Sequence, residues 1–474
     1  MTIMVFSSFI FVCIFMPVVL ILHTVIPNRK IRNGLLLIAS LLFYAYGEPV
    51  YIFLMLLSAF LNYALALLME KTPGKWIMPA AVAVNLAILG VFKYTGFLVD
   101  NLNGIFGLSI PVPAISLPIG ISFFTFQALS YVIDVYRGDV AVQKSYWKLL
   151  LYISFFPQLI AGPIVRYKDV AWEIDNRTVD ASEMAFGMRR FIAGLGKKVL
   201  IANAMGAAAD YIFNQVAANL NIVAAWIGAI AYLMQIYYDF SAYSDMAIGL
   251  GKMCGFHFKE NFNHPYVAAT IQEFWRRWHI SLSSFFRDYV YIPLGGNRKG
   301  KLRTVLNRII VFFLTGLWHG ANWTFVVWGL YHGFFLLLEE YVPLIRKLPQ
   351  LLRRIYALLV VTIGFVVFRA DTIGEAGIFI GKMFAGFDFS AGAMSFAIQA
   401  VSPFFVAMLI AAVLGCGPLE KYACCVRQLE QKQELTRCEN AVQILSFALA
   451  VVLLVWCMLR LAGGSYNPFI YFRF

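Results

Sequence analysis

The chain has 474 residues, of which 61% are hydrophobic and 13% are charged, and its formal net charge is +13. Its mean hydropathy is +0.75. This composition excludes an ordinary water-soluble globular protein, because a soluble surface cannot cover so many apolar side chains. Long apolar runs recur along the chain and predict an all-α polytopic membrane protein. The positive charge then indicates topology and contact with anionic lipid, and no stacking module favours nucleic-acid binding.

The first apolar run, IMVFSSFIFVCIFMPVVLILHTV, is long enough to cross a bilayer. No basic residue precedes it, whereas Arg29, Lys30 and Arg32 follow it. This charge order predicts a retained helix with an extracytoplasmic N-terminus, and not a cleaved signal peptide. Further spans are expected near residues 33–48, 50–70, 76–98, 117–136, 190–218, 222–250, 306–319, 322–341, 354–369, 397–417 and 441–462.

Residues 145–165 form an apolar stretch that is interrupted by Pro157 and by the pair Gly162-Pro163. Irregular backbone is not tolerated where it faces lipid, because its polar groups would lack partners. The segment is therefore predicted to be bent or re-entrant and buried among helices. We expect about 11–13 transmembrane helices at roughly 20 residues each.

The stretch from Lys252 to Arg308 is strongly basic, with ten basic and three acidic residues and a net charge of +7. Its core, EFWRRWHISLSSFFRDYVYIPLGG, mixes aromatic residues and arginines, which predicts cytosolic amphipathic helices over 252–305. This segment belongs to a membrane domain expected over 1–417. Residues 418–440 are predicted to be a cytosolic linker, and 441–474 a final transmembrane helix that carries the sequence FIYFRF to the extracytoplasmic side.

Metal and disulfide chemistry have no support in the sequence. The seven cysteines show no framework spacing, and the six histidines form no HExxH or similar set. No metal site and no bound cofactor are therefore expected.

His319 is the leading candidate for catalysis. It lies in GLWHGANWTFVVWGLYHG, between Gly316 and Gly320, whose lack of a side chain lets a substrate or another backbone come close. A neutral imidazole can accept a proton from a hydroxyl and return it to a leaving group. The alternative is a core histidine that bonds to a neighbouring helix, and this alternative is kept for His332. Trp318 and Asn322 are candidate substrate-binding residues beside His319.

A second group lies in WRRWHISLSSFF. Arg276 and Arg277, next to His279, are candidates for binding a phosphorylated or carboxylated donor from the cytosol. A charged anchor at the membrane interface is the alternative. A third group, YYDFSAYSDMAIG, places Asp239 and Asp245 in an apolar helix, where a structural network is the preferred interpretation.

Taken together, these segments resemble the membrane-bound O-acyltransferase family, nearest to the bacterial branch that contains the alginate O-acetylation protein and the teichoic acid D-alanine transfer protein. The stretches that carry the resemblance are LLFYAYGEPVYIFLMLLSAFLNY, PIGISFFTFQALSYVIDVYRG, FFPQLIAGPIVRY, QIYYDFSAYSDMAIG, NFNHPYVAATIQEFWRRWHISLSSFFRDYVYIPLGGNRKG and TGLWHGANWTFVVWGLYHG. They cover most of residues 1–340 in order. The resemblance implies that His319 is the essential histidine and His279 the second conserved polar residue. It also implies helices around a central funnel that meets a cytosolic entrance.

The C-terminal NPFIYFRF resembles the last residues of the small single-span partner of the D-alanylation system, whose motif is FIYF-x-F. That resemblance implies that Tyr471 relays an acyl group. A phenol has a pKa of about 10, so phenolate leaves far more readily than a sugar alkoxide. The alternative is an aromatic belt that anchors the helix end in the interface.

The sequence therefore predicts an O-acyltransferase of the bacterial inner membrane that acts on an exported cell-surface polysaccharide. Its expected donor is acetyl-CoA or an acyl carrier protein, and its expected partner is an extracytoplasmic SGNH-type acyltransferase. A transporter or flippase for an acyl or glycan intermediate is the alternative from another class, because polar groups inside a membrane also suit a permeation path. A non-catalytic scaffold for an external acyltransferase is a third possibility.

Overall fold

The computed structural model describes residues 4–72, 74–417, 436–464 and 466–470. Within these ranges every regular element is a helix, as the apolar composition predicted. The α-helices are α1 Met16–Val25, α2 Arg29–Gly47, α3 Ile52–Lys71, α4 Ile77–Phe106, α5 Ile121–Arg137, α6 Tyr146–Ser154, α7 Phe156–Leu159, α8 Tyr167–Asn176, α9 Ala181–Gly196, α10 Asn203–Phe213, α11 Ile222–Met253, α12 Ile271–Arg277, α13 Ile280–Phe286, α14 Lys301–His319, α15 Trp323–Tyr341, α16 Pro343–Lys347, α17 Gln350–Arg369, α18 Ile373–Ala385, α19 Ala391–Gln399, α20 Pro403–Gly415 and α21 Arg437–Ala462. Three π-helical segments, Phe11–Phe15, Lys197–Ala202 and Arg287–Tyr291, interrupt the pattern.

Six helices in the described residues are long and apolar enough to cross a membrane, or seven if the bent pair α19 and α20 forms one span. They are α3, α4, the continuous segment Ala181–Phe213, α11, α17 and the segment Glu439–Ala462. Other expected spans are helices that are shorter or more polar, such as α14, which begins with Lys301 and Arg303. The total of 11–13 transmembrane helices stays a prediction.

The described chain divides into two compact units, and the first comprises Met1–Phe191 and Met246–Lys259. Its interior contains a cluster of phenylalanine rings, in which Phe43 lies 5.8 Å from both Phe11 and Phe156 between ring centroids. A polar contact joins α3 to α4, where the buried amides of Asn62 and Asn85 exchange hydrogen bonds of 2.7 and 3.0 Å. Mutual pairing satisfies both amides inside an apolar unit.

The break expected in residues 145–165 is present in the first unit. Helix α6 ends before Phe155, whose backbone angles of φ −55° and ψ 112° are not helical, and the short helix α7 follows. Residues 149–165 are all buried. The non-helical backbone is therefore enclosed by protein, as the hydrogen-bonding argument requires.

The second unit comprises Ile192–Asp245 and Glu260–Phe474. Helices α14 and α15 pack very closely in it, since a methyl group added at Gly316 or Gly329 would collide with the backbone of the facing helix. The basic segment forms the short helices α12 and α13. The N-terminus of α12 is capped twice, by the Thr270 hydroxyl and by the buried carboxylate of Glu339, which accepts from Ile271 N at 2.6 Å. Among the described residues, this second unit contains every candidate catalytic and substrate-binding residue of the sequence analysis.

Candidate active site

His319 is the last residue of α14, and its position follows from how that helix ends. Gly320 is extended, with φ −167° and ψ 155°, so the helix cannot continue. Asn322 is the N-cap of α15, and its side-chain oxygen accepts from Thr324 N at 3.1 Å. The Asn322 amide nitrogen donates to the Asp371 carbonyl at 3.0 Å. Asn322 thus fixes the turn after His319. Both polar atoms of its side chain are used in these two bonds, so they give Asn322 a structural role, and its predicted role in substrate binding stays a prediction.

Aromatic rings enclose the imidazole of His319, which is 8% exposed. The ring of Trp328 lies 5.1 Å from it and that of Phe368 5.2 Å, both edge-on. The ring of Trp318 lies 5.0 Å from it, also edge-on. Rings packed at these distances hold the imidazole in one orientation and keep bulk water away from it.

A cavity of about 20 Å³ adjoins His319, which is room for about one water molecule. Its walls come from α11, α15, α17 and the C-terminal segment. The lining residues are Ile236, Phe240, Trp278, His319, Trp328, Phe365, Phe368 and Ile470. Among the described lining residues, the imidazole of His319 is the titratable group, so it is the side chain there that can accept and return a proton.

His279 is fully buried and precedes α13 with a left-handed backbone, at φ 44° and ψ 56°. This conformation is uncommon outside glycine and costs energy, so surrounding contacts must hold it. The contact is with Asn261, whose side-chain oxygen lies 3.1 Å from Nδ1 of His279. The same oxygen accepts from Ser281 N at 3.2 Å. A backbone N–H can only donate, so this atom is the amide oxygen, and Nδ1 of His279 carries the proton.

Nε2 of His279 is therefore the acceptor nitrogen of a neutral ring. Burial lowers the pKa of His279 to about 3, which keeps the ring neutral at physiological pH. The indole of Trp318 connects the two candidate histidines, since it lies 5.9 Å from the His279 ring and 5.0 Å from the His319 ring. The structure thus brings His279, Trp318 and His319 into one cluster.

A larger cavity of about 460 Å³ lies beside the basic helices α12 and α13. Arg276 and Arg287 line it, together with Trp275 and with Thr315 of α14. Thr315 is four residues before His319, so the two side chains lie on the same face of α14, one turn apart. The volume is typical of a small-molecule site.

The two arginines predicted to bind substrate have different surroundings. Arg276 is exposed and lines the 460 Å³ cavity. Arg277 instead pairs with Glu273 at 3.0 Å and donates to the Asn263 carbonyl at 3.1 Å. Of these two arginines, Arg276 is the one that lines the cavity, and Arg277 has a structural role within the segment.

The two acidic residues of α11 form ion pairs with adjacent lysines of the π-helical segment. Asp239 pairs with Lys198 at 2.7 Å, and Asp245 pairs with Lys197 at 2.6 Å. The pair of Lys198 and Asp239 is buried, with side chains 3% and 1% exposed. A structural network was the expected role of both aspartates, but Asp239 also binds the C-terminal segment, since its carboxylate accepts from Ile470 N at 2.8 Å.

Tyr471 lies outside the described residues, and its role stays a prediction. The residues just before it are described, and Phe469 and Ile470 are buried. Ile470 also lines the cavity beside His319. The last described residue, Ile470, therefore lies at the same cavity as the candidate catalytic histidine and is the residue before Tyr471 in the sequence.

Three contributors to this site were missing from the sequence interpretation: Asn261, Lys198 and Phe368. Asn261 lies in a segment without helical periodicity, which offers no signal. Lys198 offers one, because a lysine within the apolar run 190–218 is costly unless it is paired. His332, kept as a core histidine, is fully buried against Trp275 and Trp328, at 5.2 and 5.1 Å between ring centroids.

Comparison with known proteins places this geometry in a family. Residues 140–370 match the model of the MBOAT, membrane-bound O-acyltransferase family. A protein of Pseudomonas putida described as "Probable alginate O-acetylase AlgI" is 40% identical over 493 residues, covering 99% of this chain and 100% of that protein. The peptidoglycan O-acetyltransferase of Helicobacter pylori is 36% identical over 79% of this chain and 78% of its own length. The teichoic acid D-alanyltransferase of Bacillus subtilis is 30% identical over 53% of this chain and 67% of its own length. The chain therefore belongs to the membrane-bound O-acyltransferase family and is a membrane-embedded O-acyltransferase.

Proposed function

We propose that the protein is an O-acetyltransferase that passes an acyl group from a cytosolic thioester to the extracytoplasmic side, through His319 and an acyl ester on Tyr471. The acyl group is destined for an exported cell-surface polysaccharide. The observation that carries the proposal is that His319 and Ile470, the residue before Tyr471, line one cavity. Ile470 directly precedes Tyr471 in the sequence, which supports a role for that tyrosine at the cavity.

In the proposed first step, an imidazole nitrogen of His319 takes the phenolic proton of Tyr471. The phenolate oxygen attacks the thioester carbonyl carbon, the C–S bond breaks, and the thiolate leaves with the proton that His319 returns. In the second step, a hydroxyl of an external acyltransferase attacks the acyl-tyrosine, and the phenol regains a proton. No bound cofactor is needed in either step.

His279 is proposed as the second catalytic histidine. Its Nδ1–H is held by Asn261, which leaves the Nε2 lone pair of a neutral ring to accept a hydrogen bond, and its ring lies 5.9 Å from that of Trp318. The aromatic enclosure suits this chemistry, since a water-poor site slows hydrolysis of the thioester and of the acyl ester.

The proposed donor is acetyl-CoA or an acyl carrier protein, bound at the 460 Å³ cavity. Arg276 in that cavity would attract the phosphates of such a donor, and the +7 segment would suit an acidic carrier protein. The names of the relatives from Pseudomonas putida and Helicobacter pylori favour acetyl as the acyl group.

The proposed setting is the bacterial inner membrane, with both termini extracytoplasmic and the segment 252–305 cytosolic. An SGNH-type acyltransferase outside the membrane would take the acyl group from Tyr471 and pass it to the polysaccharide. The names of the two relatives refer to different polymers, alginate and peptidoglycan, so the proposed acceptor is an exported glycan and not one particular polymer. Family membership favours this enzyme over the transporter or flippase.

Mass spectrometry of the C-terminal peptide tests the proposal. Protein from its own host, with the external acyltransferase deleted so that an intermediate accumulates, should carry an acetyl mass on Tyr471. The mass should be absent in His319→Ala and in Tyr471→Phe, and the internal control is Tyr466 of the same peptide, which should carry no acetyl mass in any of the proteins. An unmodified Tyr471 in the parent protein would reduce the tail to an interfacial anchor. Unchanged polysaccharide acylation in His319→Ala would instead indicate a scaffold.

A further inference from the structure

The C-terminal tail, defined here as residues 466–470, is bound residue by residue to side chains of the second unit. The Tyr466 hydroxyl donates to Asp210, and the Asn203 amide donates to the Asn467 side chain at 3.2 Å. Such continuous binding is more than an interfacial anchor needs, since an anchor requires only aromatic rings at the headgroup level.

Three further contacts hold the end of the tail. Lys198 donates to the Pro468 carbonyl, and the ring of Phe469 lies 4.9 Å from that of Tyr243. Asp239 accepts from Ile470 N at 2.8 Å. Both members of the buried ion pair therefore contact the tail backbone. Lys198 donates to the Pro468 carbonyl, and Asp239 accepts from the N–H of Ile470, two residues further along.

Burying a charged pair is expensive, and replacing such a pair by apolar residues is often neutral or stabilising. If Lys198 and Asp239 served only to stabilise the fold, apolar residues could replace them at little cost, so the buried pair indicates a further role. Lys198 also lies in a π-helical segment, a distortion that is frequent at functional sites. Asp239 precedes Phe240, which lines the cavity beside His319, so one helix forms the cavity wall and holds the tail.

We propose that the ion pair of Lys198 and Asp239 is the positioning element that seats the tail beside the cavity of His319, and that acyl transfer to Tyr471 requires this seating. Neither Lys198 nor Asp239 is among the described residues that line the cavity beside His319, so both are proposed as positioning residues. This inference rests on the relay proposed above. It predicts that acyl transfer to Tyr471 depends on the polar contacts of the pair to the tail, and not on its charges as such.

Two double variants test this. Lys198→Met with Asp239→Asn removes both charges but keeps an amide oxygen that accepts from Ile470 N. Lys198→Met with Asp239→Leu removes both charges and both tail contacts. The matched control is Lys197→Met with Asp245→Asn, because that neighbouring ion pair has similar geometry on the same two elements.

The first readout is the fraction of Tyr471 that carries an acyl mass in the full-length protein. We expect the control to match the parent, the Asn-containing variant to fall about tenfold, and the Leu-containing variant to fall by on the order of 100-fold, since small misplacements of a reacting group cost that much. Protein yield and thermal stability should stay near those of the parent in all three. Equal acylation in the parent and the Leu-containing variant would overturn the inference.

The second readout follows the tail without any chemistry. Asn203→Cys with Asn467→Cys, added to each background, is treated with a short thiol cross-linker, and the linked peptides are identified by mass spectrometry. The cross-link should form in the parent and in the control, and should be lost in the Leu-containing variant. A parent that cross-links but carries no acyl group would refute the relay while leaving the seating of the tail supported. A Leu-containing variant that cross-links as the parent does would refute the positioning role.

Discussion

The indole of Trp328 meets the imidazole of His319 edge-on, with ring centroids 5.1 Å apart and planes at 88°. Trp328 is 1% exposed and also contacts Phe368 at 4.9 Å. It therefore sets the orientation of the candidate base as well as filling the core beside it.

Trp328→Phe should separate these two roles. A phenyl ring keeps an edge contact and most of the packing, so we expect protein with near-parent stability and at least tenfold lower acyl transfer, because the histidine gains rotational freedom. Trp328→Ala should lose about 3–5 kcal/mol of unfolding free energy as a cavity opens. Thermal unfolding in detergent and transfer from an acetyl thioester measure the two effects. Full activity in Trp328→Phe would show that the indole does not orient His319.

Asn261 should control the protonation of His279, because its side-chain oxygen holds the Nδ1–H. In Asn261→Ala the ring loses that acceptor, and we expect acyl transfer to fall by at least about tenfold. Asn261→Asp keeps the acceptor but adds a negative charge beside a ring whose pKa burial lowers to about 3. The carboxylate should raise that pKa and shift the acidic limb of the pH–rate profile to higher pH. An unmoved profile in Asn261→Asp would argue against a titrating role for His279.

Features of this site that depend on residues close together in the sequence could be predicted, whereas contacts between residues far apart in the chain could not. His319 was singled out because glycines and tryptophans surround it in a short stretch of sequence, and the family resemblance then favoured a catalytic role over that of an ordinary core histidine. The broken segment at 145–165 was found because its prolines and glycines are local signals. Both inferences use neighbours within a few residues, where pattern and structure are directly linked.

The contacts that complete the site join residues far apart in the chain. Lys198 binds the Pro468 carbonyl across 270 residues, and Asp239 binds Ile470 across 231. The sequence shows a lysine and an aspartate that are costly in apolar helices, but not which one pairs with which. Only the packing of α11 against the tail makes Asp239 a ligand for Ile470, while Asp245 pairs with Lys197.

Arg276 and Arg277 offer a matched test of the donor site. Arg276 lines the 460 Å³ cavity, whereas Arg277 is occupied by Glu273 and the Asn263 carbonyl. Arg276→Ala should raise KM for acetyl-CoA about tenfold with little change in kcat, because a charge-assisted contact to phosphate is lost from donor binding. Arg277→Ala should leave KM near the parent value and lower thermal stability instead. Steady-state kinetics with varied donor separates the two, and equal KM effects would contradict this assignment of the cavity.

Gly329 should be intolerant of even one added carbon. A methyl group there would collide with the Phe312 carbonyl across the contact between α14 and α15. Gly329→Ala is therefore expected to cost about 1–3 kcal/mol by overpacking and, by shifting the helix that ends at His319, to lower activity. The control is Gly377→Ala on α18, where no atom lies within 4 Å of the new carbon. Alanine has a better helix propensity than glycine, so Gly377→Ala should stabilise the protein slightly. The melting temperature should therefore rise slightly in Gly377→Ala and fall in Gly329→Ala.

His257 should make the first unit more stable in mild acid. Its two ring nitrogens each lie 2.8 Å from a carboxylate, of Glu173 and of Glu183. Partial burial lowers the pKa of His257, but the two carboxylates raise it by more, so the folded-state pKa lies above the ordinary value of 6.5. A raised pKa means that the stabilisation is fully present below pH 6.5 and is lost as pH rises through the folded-state value. The melting temperature of the parent should therefore fall between pH 5.5 and pH 8.5 by more than that of His257→Gln. Glu183→Gln, which removes one of the two partners, should show an intermediate fall. If the parent and His257→Gln lose the same amount over this range, the cluster does not carry the pH dependence.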